Sequence, residues 1–593
     1  MELLKASTAR RALKWRSTII RPRNWVCQSC LHSRSRFESS RRTFATETAP
    51  PKKPFYVTTP IFYVNASPHV GHMYSMVLAD VLKRWQKLAG RESLLCTGTD
   101  EHGMKVQQAA ALAEVPPMQW CDENATKFQE LADTTQIAYD RFIRTTDADH
   151  VEAVKHFWFL LEHHGYIYES KHEGWYCVSD ECFYPESMIA RRQDEFTGEV
   201  FMASVETGNK VEWIEEKNYH FRMTALKDKL LKFYEENPGW IVPASGMTQV
   251  VDWVKNNLED LSISRPNKRL SWGIPVPEDP SQTIYVWVDA LINYLTFAGF
   301  PTGTAGELEA GGWPADVHVI GKDILRFHCV YWPALLLALD LPLPKRVLSH
   351  AHWTLDHRKM SKSKGNAVNP FLAIERFGLD AMRFYMIKDG GIADDADYHN
   401  EIIVDRYKKH LQGGLGNLLA RVTRAKQWSF RDAVIAGRTY HHSSENGYDY
   451  VSVRCVAHCE KLETLAAEVA EQMDKLNPGA ALSRITQAIS DANKFIAEVA
   501  PWNYMKDTKS PPERLAGLRL IYMVGETLRL SGILLQPFMP DKATMLLDIL
   551  GVAPEKRTLR HAVLYCDGDY GKTSLARGRY DDLSLFPPLV VED

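Results

Sequence analysis

The chain has 593 residues, enough for roughly three or four domains. With 45% hydrophobic and 24% charged residues it has an ordinary globular composition, and no apolar run is long enough to span a bilayer, so a membrane protein is disfavoured. Ten cysteines over this length do not indicate a disulfide framework.

The first 45 residues differ from the rest of the chain. They hold nine Arg and two Lys against only Glu2 and Glu38, and they are rich in Ser and Thr. This pattern is typical of a mitochondrial transit peptide, removed near Arg41–Ala45, and it predicts a location in the mitochondrial matrix. The alternative is a disordered basic tail that binds nucleic acid. The net charge of the chain is −3, and its first 45 residues carry +9, so the rest carries −12. RNA binding by this acidic remainder requires local basic patches.

A strand, a turn and a helix are predicted directly after the leader. Phe55–Thr59 is a short buried strand pattern that ends at the breaker Pro60. Ser67 is suited to cap a helix and Pro68 to occupy its first position. Apolar residues then recur at helical spacing up to Gly90, where the helix should end. This is the first unit of a nucleotide-binding α/β sheet.

Polar side chains lie where that unit would meet a ligand. His69 and His72 share one face of the first helical turn, where free N–H groups and the helix dipole favour phosphate. Gly71 between them leaves room for a base. A second strand, Glu92–Thr97, is followed by Asp100, whose carboxylate could hold an α-amino group. The alternatives are two ordinary helix-start histidines and a turn-capping aspartate.

The second half of the chain supplies further strands and a basic loop. Strands are predicted at Thr283–Asp289, Asp316–Ile320 and Arg346–Trp353. Lys359–Ser363 and the following Lys364-Gly365-Asn366 form a small, polar, glycine-containing stretch, which predicts a mobile loop. Its ammonium groups, Lys362 above all, could close over a triphosphate and stabilise the leaving pyrophosphate. The alternative is a solvated basic loop.

These stretches together resemble the methionyl-tRNA synthetases, a family of class I aminoacyl-tRNA synthetases. The resemblance runs from about Phe55 to about Pro540 and is carried, in order, by Pro60–His72, Gly98–Gly103, Val286–Tyr294, Ile320–Asp323, Lys359–Ser363 and Ala500–Trp502. It implies an α/β, Rossmann-like catalytic domain split by a connective insertion and followed by an all-α anticodon-binding domain.

The resemblance also implies residue roles. ATP would be bound by His69, Gly71, His72, Lys359, Ser361 and Lys362, of which His69, His72, Lys359 and Lys362 would be catalytic. Methionine would be bound by Ile61, Tyr63, Asp100, Arg265, Trp287, Ala290, Tyr294 and His328, with Asp100 on the ammonium group and the aromatic rings around the thioether. The anticodon would be read by Asn417, Arg421 and Trp502, which would stack on a splayed base. Mg²⁺ would accompany ATP.

The insertion departs from the family pattern. Most members carry a zinc knuckle of Cys-x-x-Cys pairs there, whereas Cys177 and Cys182 have four residues between them and no second pair follows before Val211–Trp213. Two thiols cannot complete a tetrahedral zinc site, so no structural zinc and no other protein-bound metal is expected.

The expected domain organisation follows the same resemblance. The predicted divisions are a transit peptide (1–48), the first catalytic half (49–165), the connective insertion (166–222), the second catalytic half (223–345), a stem-contact region with the basic loop (346–400), the helical anticodon-binding domain (401–550) and a C-terminal extension (551–593). About 40 residues follow Gly551, too few for an added tRNA-binding or dimerising module, so a monomer is expected.

The predicted reaction is activation of L-methionine by ATP to methionyl-adenylate, followed by transfer to the 3′ end of tRNA(Met). One alternative is the leucine, isoleucine or valine enzyme of the same class, but these usually insert a far larger editing domain than the stretch from Gly165 to Phe221. The other alternative is an inactive relative kept as an RNA-binding partner. The presence of His69, His72, Asp100 and Lys362 argues against it.

Overall fold

A computed structural model describes residues 53–193, 198–360, 366–438, 450–572 and 584–589. The predicted transit peptide and most of the basic loop, including Ser361 and Lys362, lie outside the described residues. Among the described residues, no helix is both long and apolar enough to cross a membrane.

The N-terminal part alternates strands and helices. Its elements are β1 (Phe55–Tyr63), α1 (Val70–Leu88), β2 (Ser93–Asp100), α2 (Met104–Leu112), α3 (Pro117–Thr134), β3 (Arg141–Arg144) and α4 (Ala148–His163). The insertion that follows is built of strands: β4 (Ile167–Cys177), β5 (Cys182–Tyr184), β6 (Ile189–Gln193), β7 (Val200–Ser204) and β8 (Glu212–Phe221).

The chain then returns to the α/β part. Its elements are α5 (Lys227–Glu236), β9 (Ile241–Val242), α6 (Ala244–Asn257), β10 (Leu261–Ser262), β11 (Ser264–Pro266), β12 (Pro275–Val276), β13 (Asp279–Ile284), α7 (Val286–Leu291), α8 (Asn293–Phe297), α9 (Ala305–Ala310), β14 (Val317–Gly321), α10 (Trp332–Ala338) and β15 (Val347–His350). One π-helical turn, Phe327–Tyr331, precedes α10.

Helices dominate the last third. After β16 (Trp353–Leu355) and β17 (Arg358–Lys359) come α11 (Pro370–Phe377), α12 (Leu379–Asp389), β18 (Ala396–Asp397), α13 (Asn400–Arg406), α14 (Asn417–Thr423), α15 (Phe430–Arg438), α16 (Tyr450–Asp474), α17 (Pro478–Val499), α18 (Pro511–Leu535) and α19 (Pro540–Leu550). A π-helical segment, Tyr407–Gly416, joins α13 to α14.

The central sheet has six strands in the order β3-β2-β1-β14-β15-β9, all paired in parallel. Helices cover both faces: one apolar core contains α1, α12 and the C-terminal helices, and the other contains α4, α10 and the insertion strands β4 and β5. The strand order reverses between β1 and β14, and in such sheets ligands bind beyond the carboxyl ends of the strands at that point. The predicted Rossmann-like fold class with an all-α C-terminal region is confirmed.

Three predictions about β1 and α1 were wrong. Pro60 does not end β1, because the strand absorbs it in a register irregularity between Thr58 and Ile61. Ser67 and Pro68 do not start α1, which begins at Val70 after the N-cap His69. The imidazoles of the histidine pair bond the first backbone N–H groups themselves, so no hydroxyl cap is needed.

The predicted strand Thr283–Asp289 is mostly not a strand. β13 ends at Ile284, pairs antiparallel with β11 and β12 outside the main sheet, and is followed by helix α7. A short apolar run buried on all sides fits a strand and a buried helix equally well, so its composition could not decide between them. The predicted strand Arg346–Trp353 is likewise divided, into β15 and the start of β16.

Candidate functional site

Two predicted pocket residues lie side by side at the carboxyl ends of neighbouring strands. Tyr63, at the end of β1, is the register partner of Asp100, at the end of β2. Ile61 pairs with Gly98 two residues earlier in the same ladder. Because β1 also borders the point where the strand order reverses, these side chains lie where an open α/β sheet binds its ligand.

His69 and His72 form the cap of α1. The His69 backbone N–H donates to Nδ1 of His72 (3.1 Å), and the Gly71 N–H donates to Nδ1 of His69 (3.0 Å). Since both Nδ1 atoms accept, each neutral imidazole carries its proton on Nε2. The rings stack at a centroid distance of 3.9 Å. A Cβ atom on Gly71 would lie 2.8 Å from Cε1 of His69, so glycine is required for this arrangement.

Asp100 is a buried carboxylate with an unsatisfied oxygen. Its side chain is 6% exposed, and Oδ1 has no hydrogen-bond partner among the described residues. Burial raises the pKa of Asp100 well above its usual range, and the nearby carboxylates of Asp289, Glu181 and Glu101 raise it further. A cation that donates a hydrogen bond to Oδ1 would remove both penalties.

Asp289 is held between two histidines next to this carboxylate. His102 Nδ1 lies 2.6 Å from Asp289 Oδ2, and His150 Nε2 lies 2.8 Å from Oδ1. Burial alone would raise the pKa of Asp289, but the two imidazoles outweigh it and hold that pKa below its ordinary value. Asp289 therefore remains an anion beside Asp100.

An aromatic wall stands beside these acids. Trp287 stacks face to face on Phe327 with ring centroids 3.8 Å apart. The Tyr294 hydroxyl donates to Nε2 of His328 (2.8 Å), and Nδ1 of His328 donates to the Ile324 carbonyl (3.0 Å). Burial lowers the pKa of His328 to about 4, so this imidazole is neutral at physiological pH. The wall is aromatic and uncharged, which suits an apolar, polarisable ligand group.

Arg265 is buried, and no carboxylate of the described residues pairs with it. Its Nη1 donates to the carbonyl and hydroxyl oxygens of Ser262 and to the carbonyl of Ser264, the residue before it. Its guanidinium carbon lies 5.1 Å from the ring centroid of Tyr176 and 4.8 Å from that of Tyr285. Ala290, also predicted for the pocket, is buried in α7.

The basic loop is reached by a tight hairpin. β16 pairs antiparallel with β17, whose last residue is Lys359, and Met360 is buried beyond it. The side chain of Lys359 and the whole of Ser361–Gly365 lie outside the described residues.

The predicted anticodon residues come together about the start of α14. Asn417 and Arg421 lie one turn apart on this helix, and the Arg421 guanidinium is 5.7 Å from the ring of Trp502. Trp502 is 37% exposed, in the short 3₁₀ turn after α17. An exposed indole beside an arginine is suited to stack on an unpaired base.

The insertion brings its two cysteines together. Cys177 and Cys182 are paired across the β4–β5 hairpin, and both are buried. The Arg326 guanidinium donates to Sγ of Cys182 (3.4 Å). No group of three or more His, Cys, Asp or Glu suited to a metal ion occurs in the part of the chain that the structure describes.

Two residues of this site were missed in the sequence. Phe327 supports Trp287, and its position directly before His328 was the available signal. Glu181, in the β4–β5 loop, accepts hydrogen bonds from Tyr63 and from the backbone of Lys105. In the sequence, the cysteine spacing of this loop bears only on whether it binds a metal.

Known proteins that resemble this chain are aminoacyl-tRNA synthetases. Residues 55–423 match the family model described as tRNA synthetases class I (M). The chain is 61% identical to the probable mitochondrial methionine–tRNA ligase of Neurospora crassa over 100% of this chain and 96% of that one. The chain belongs to the methionine branch of the class I tRNA synthetases.

Other members of this family are similar to this chain over most of its length. The mitochondrial methionine–tRNA ligase of Homo sapiens is 42% identical over 85% of each chain. The structure of Mycobacterium tuberculosis methionyl-tRNA synthetase in complex with methionyl-adenylate covers 90% of this chain and 100% of its own, at 38% identity and a TM-score of 0.79.

Proposed function

We propose that this chain is a mitochondrial methionine–tRNA ligase that activates methionine with ATP and transfers it to tRNA(Met). The observation that carries the proposal is the unsatisfied, buried carboxylate of Asp100 beside a neutral aromatic wall. An α-ammonium group and a thioether are the two ends of methionine that such a pair of surfaces would recognise.

Methionine would be bound from both ends. Its ammonium group donates to Asp100, whose charge is otherwise unbalanced, while its side chain lies against Trp287, Tyr294 and His328. The neutral state of His328 matters because an imidazolium there would be poorly matched to a thioether. Ile61, Tyr63 and Ala290 complete the pocket, and Arg265 is proposed to help position the activated acid.

Activation then needs orientation and charge stabilisation. The methionine carboxylate attacks the α-phosphate of ATP, the bond to the bridging oxygen breaks, and pyrophosphate leaves. Nε2–H groups of His69 and His72, at the N-terminus of α1, are proposed to donate to phosphate oxygens, with Gly71 leaving room for the base. Mg²⁺ enters with ATP as part of the substrate. Lys359, Ser361 and Lys362 are proposed to stabilise the leaving pyrophosphate.

Transfer uses the second substrate. The terminal hydroxyl of the tRNA attacks the carbonyl carbon of methionyl-adenylate, loses its proton and releases AMP. Asn417, Arg421 and Trp502 are proposed to select the tRNA by its anticodon, and the contact of Arg421 with Trp502 supports this assignment.

The predicted organisation is kept as part of the proposal. We expect a matrix protein and a monomer, with a leader (1–48), catalytic halves (49–165 and 223–345), an insertion (166–222), a stem-contact region (346–400), an anticodon domain (401–550) and an extension (551–593). Among the described residues, the insertion consists of strands apart from one 3₁₀ turn, Glu186–Met188, and the elements from Asn400 to Leu550 are all helical, which supports these divisions.

The deciding experiment is ATP–pyrophosphate exchange with each standard amino acid, followed by charging of tRNA(Met). Exchange with methionine alone is expected. Exchange with leucine, isoleucine or valine instead would indicate another class I enzyme. Binding of tRNA without any amino-acid-dependent exchange would indicate an inactive, RNA-binding relative.

A further inference from the structure

The insertion contributes a carboxylate to the wall of the proposed methionine pocket. Glu181 lies in the loop between β4 and β5 and is only 5% exposed. Its Oε1 accepts from the Tyr63 hydroxyl (3.0 Å) and from the Lys105 backbone N–H (2.8 Å), and its Oε2 accepts from the Tyr176 hydroxyl (2.9 Å). The Glu181 side chain thus bonds the end of β1, the start of α2 and strand β4 of its own hairpin.

The surroundings are arranged to admit this carboxylate. Lys105 lies in the first turn of α2. The N-cap of this helix is Gly103, which has no side chain to cap it, so Glu181 supplies the anion that the helix terminus favours. A Cβ atom on Gly103 would lie 2.4 Å from the Tyr63 hydroxyl. Glu181 itself has φ of 55°, a left-handed conformation that a non-glycine residue seldom adopts.

Tyr63 has no other described partner for its hydroxyl, and its ring lies beside Asp100 in the strand ladder. The second oxygen of Glu181 reaches Tyr176, the ring against which Arg265 stacks. One carboxylate therefore connects two of the residues assigned to methionine.

We propose that Glu181 is a positioning residue through which the insertion sets the shape of the methionine pocket, by fixing the Tyr63 ring over the binding site. This inference rests on the proposed function. It gives the small insertion a role in amino-acid recognition that does not depend on a metal.

The test is a set of variants assayed by methionine-dependent ATP–pyrophosphate exchange. Glu181→Gly removes the carboxylate while glycine readily adopts the left-handed conformation, so the hairpin keeps its backbone. It should raise the methionine KM about tenfold, the effect of losing one charged hydrogen bond, and leave the ATP KM nearly unchanged. Glu181→Gln keeps one acceptor oxygen in place and should restore most of the affinity.

The matched control is Asp180→Ala. Asp180 is the neighbouring carboxylate of the same loop, but it accepts from Tyr184, Thr207 and Asn209, which are all within the insertion. Its variant should keep the wild-type methionine KM. An equal rise in both variants would mean that the hairpin only needs to fold, and would overturn the proposal.

A double-variant cycle tests the route through Tyr63. If Glu181 acts through that hydroxyl, Glu181→Gly should have little further effect on methionine KM in a Tyr63→Phe background. Fully additive effects, or an unchanged KM in Glu181→Gly, would contradict the assignment. Absence of methionine-dependent exchange in the wild-type protein would instead contradict the proposed function.

Discussion

Asp80 and Arg383 form a fully buried ion pair that joins helix α1 to the helical part of the protein. Arg383 Nη2 lies 2.5 Å from Asp80 Oδ2, and neither side chain is exposed. The same guanidinium donates to the carbonyls of Thr135, Pro537 and Phe538. A single side chain of α12 thus connects the helix that begins with the histidine pair to the turn between α18 and α19.

The first prediction concerns this pair. Arg383→Met should lower the free energy of unfolding by about 3–5 kcal/mol, because three buried carbonyls lose their donor and the buried Asp80 carboxylate is left with the partly exposed Arg84 as its charged partner. Urea unfolding followed by circular dichroism measures the change.

The same helix offers a matched control. Arg406 pairs with Asp389 at the end of α12, but the two side chains are 30% and 18% exposed. Arg406→Met should cost no more than about 1 kcal/mol, since water screens and partly replaces that pair. Equal losses in the two variants would show that burial of Arg383 adds nothing.

The second prediction concerns Asp100. Asp100→Asn removes the charge proposed to bind the ammonium group and should raise the methionine KM about 10–100-fold, with little change in the ATP KM. Exchange assays at varied methionine and varied ATP concentrations separate the two.

The raised pKa of Asp100 also predicts a pH dependence with a definite sign. Only the ionised carboxylate binds an ammonium group, so in the wild type the methionine KM should rise as the pH falls through this raised pKa. Asp100→Asn has no carboxyl to titrate there and should lose this slope. A wild-type KM that falls on acidification would be inconsistent with the assignment.

The third prediction concerns the histidine cap. Gly71→Ala places a methyl group 2.8 Å from His69 Cε1, so the ring must move and its Nε2–H donor with it. The kcat of exchange should fall about 10–100-fold, as when one preorganised donor is lost, while the methionine KM changes little.

Gly90→Ala at the other end of α1 is the control for that substitution. Gly90 has φ of 80° with open space around it, so alanine there costs about 1 kcal/mol of stability through its backbone alone. Its kcat should equal the wild-type value. A similar loss of kcat in both variants would attribute the effect to α1 as a whole.

The sequence predicts the sheet better than the contacts between its loops. The buried strands β1, β2 and β14 are recognisable because parallel strands are apolar on both faces. Val286–Leu291 has the same composition and is a helix, since a short apolar run carries no period that distinguishes the two.

Contacts made by single side chains were beyond sequence reasoning for a different reason. Tyr63 and Glu181 are 118 positions apart, and only the folded insertion brings them together. Capping preferences predict the N-cap of α1 at Ser67, because hydroxyls are the commoner capping groups, whereas the structure uses the imidazoles of His69 and His72. The resemblance predicts site residues one by one, but it does not predict the partners that support them.

The last prediction is that the protein folds and functions without zinc. Metal-binding cysteines must be thiolates, yet burial raises the pKa of Cys182 to about 11 and raises that of Cys177 as well. Sγ of Cys182 also accepts from the guanidinium of Arg326, and this positive charge disfavours binding of a metal cation at the same sulfur.

Metal analysis of the dialysed protein should find far less than one zinc per chain. Exchange activity after treatment with a chelator should return fully when excess Mg²⁺ alone is added, and Cys177→Ser should leave the metal content unchanged. One zinc retained per chain, and lost in Cys177→Ser, would show that the hairpin does bind a metal and recruits ligands beyond its two thiols.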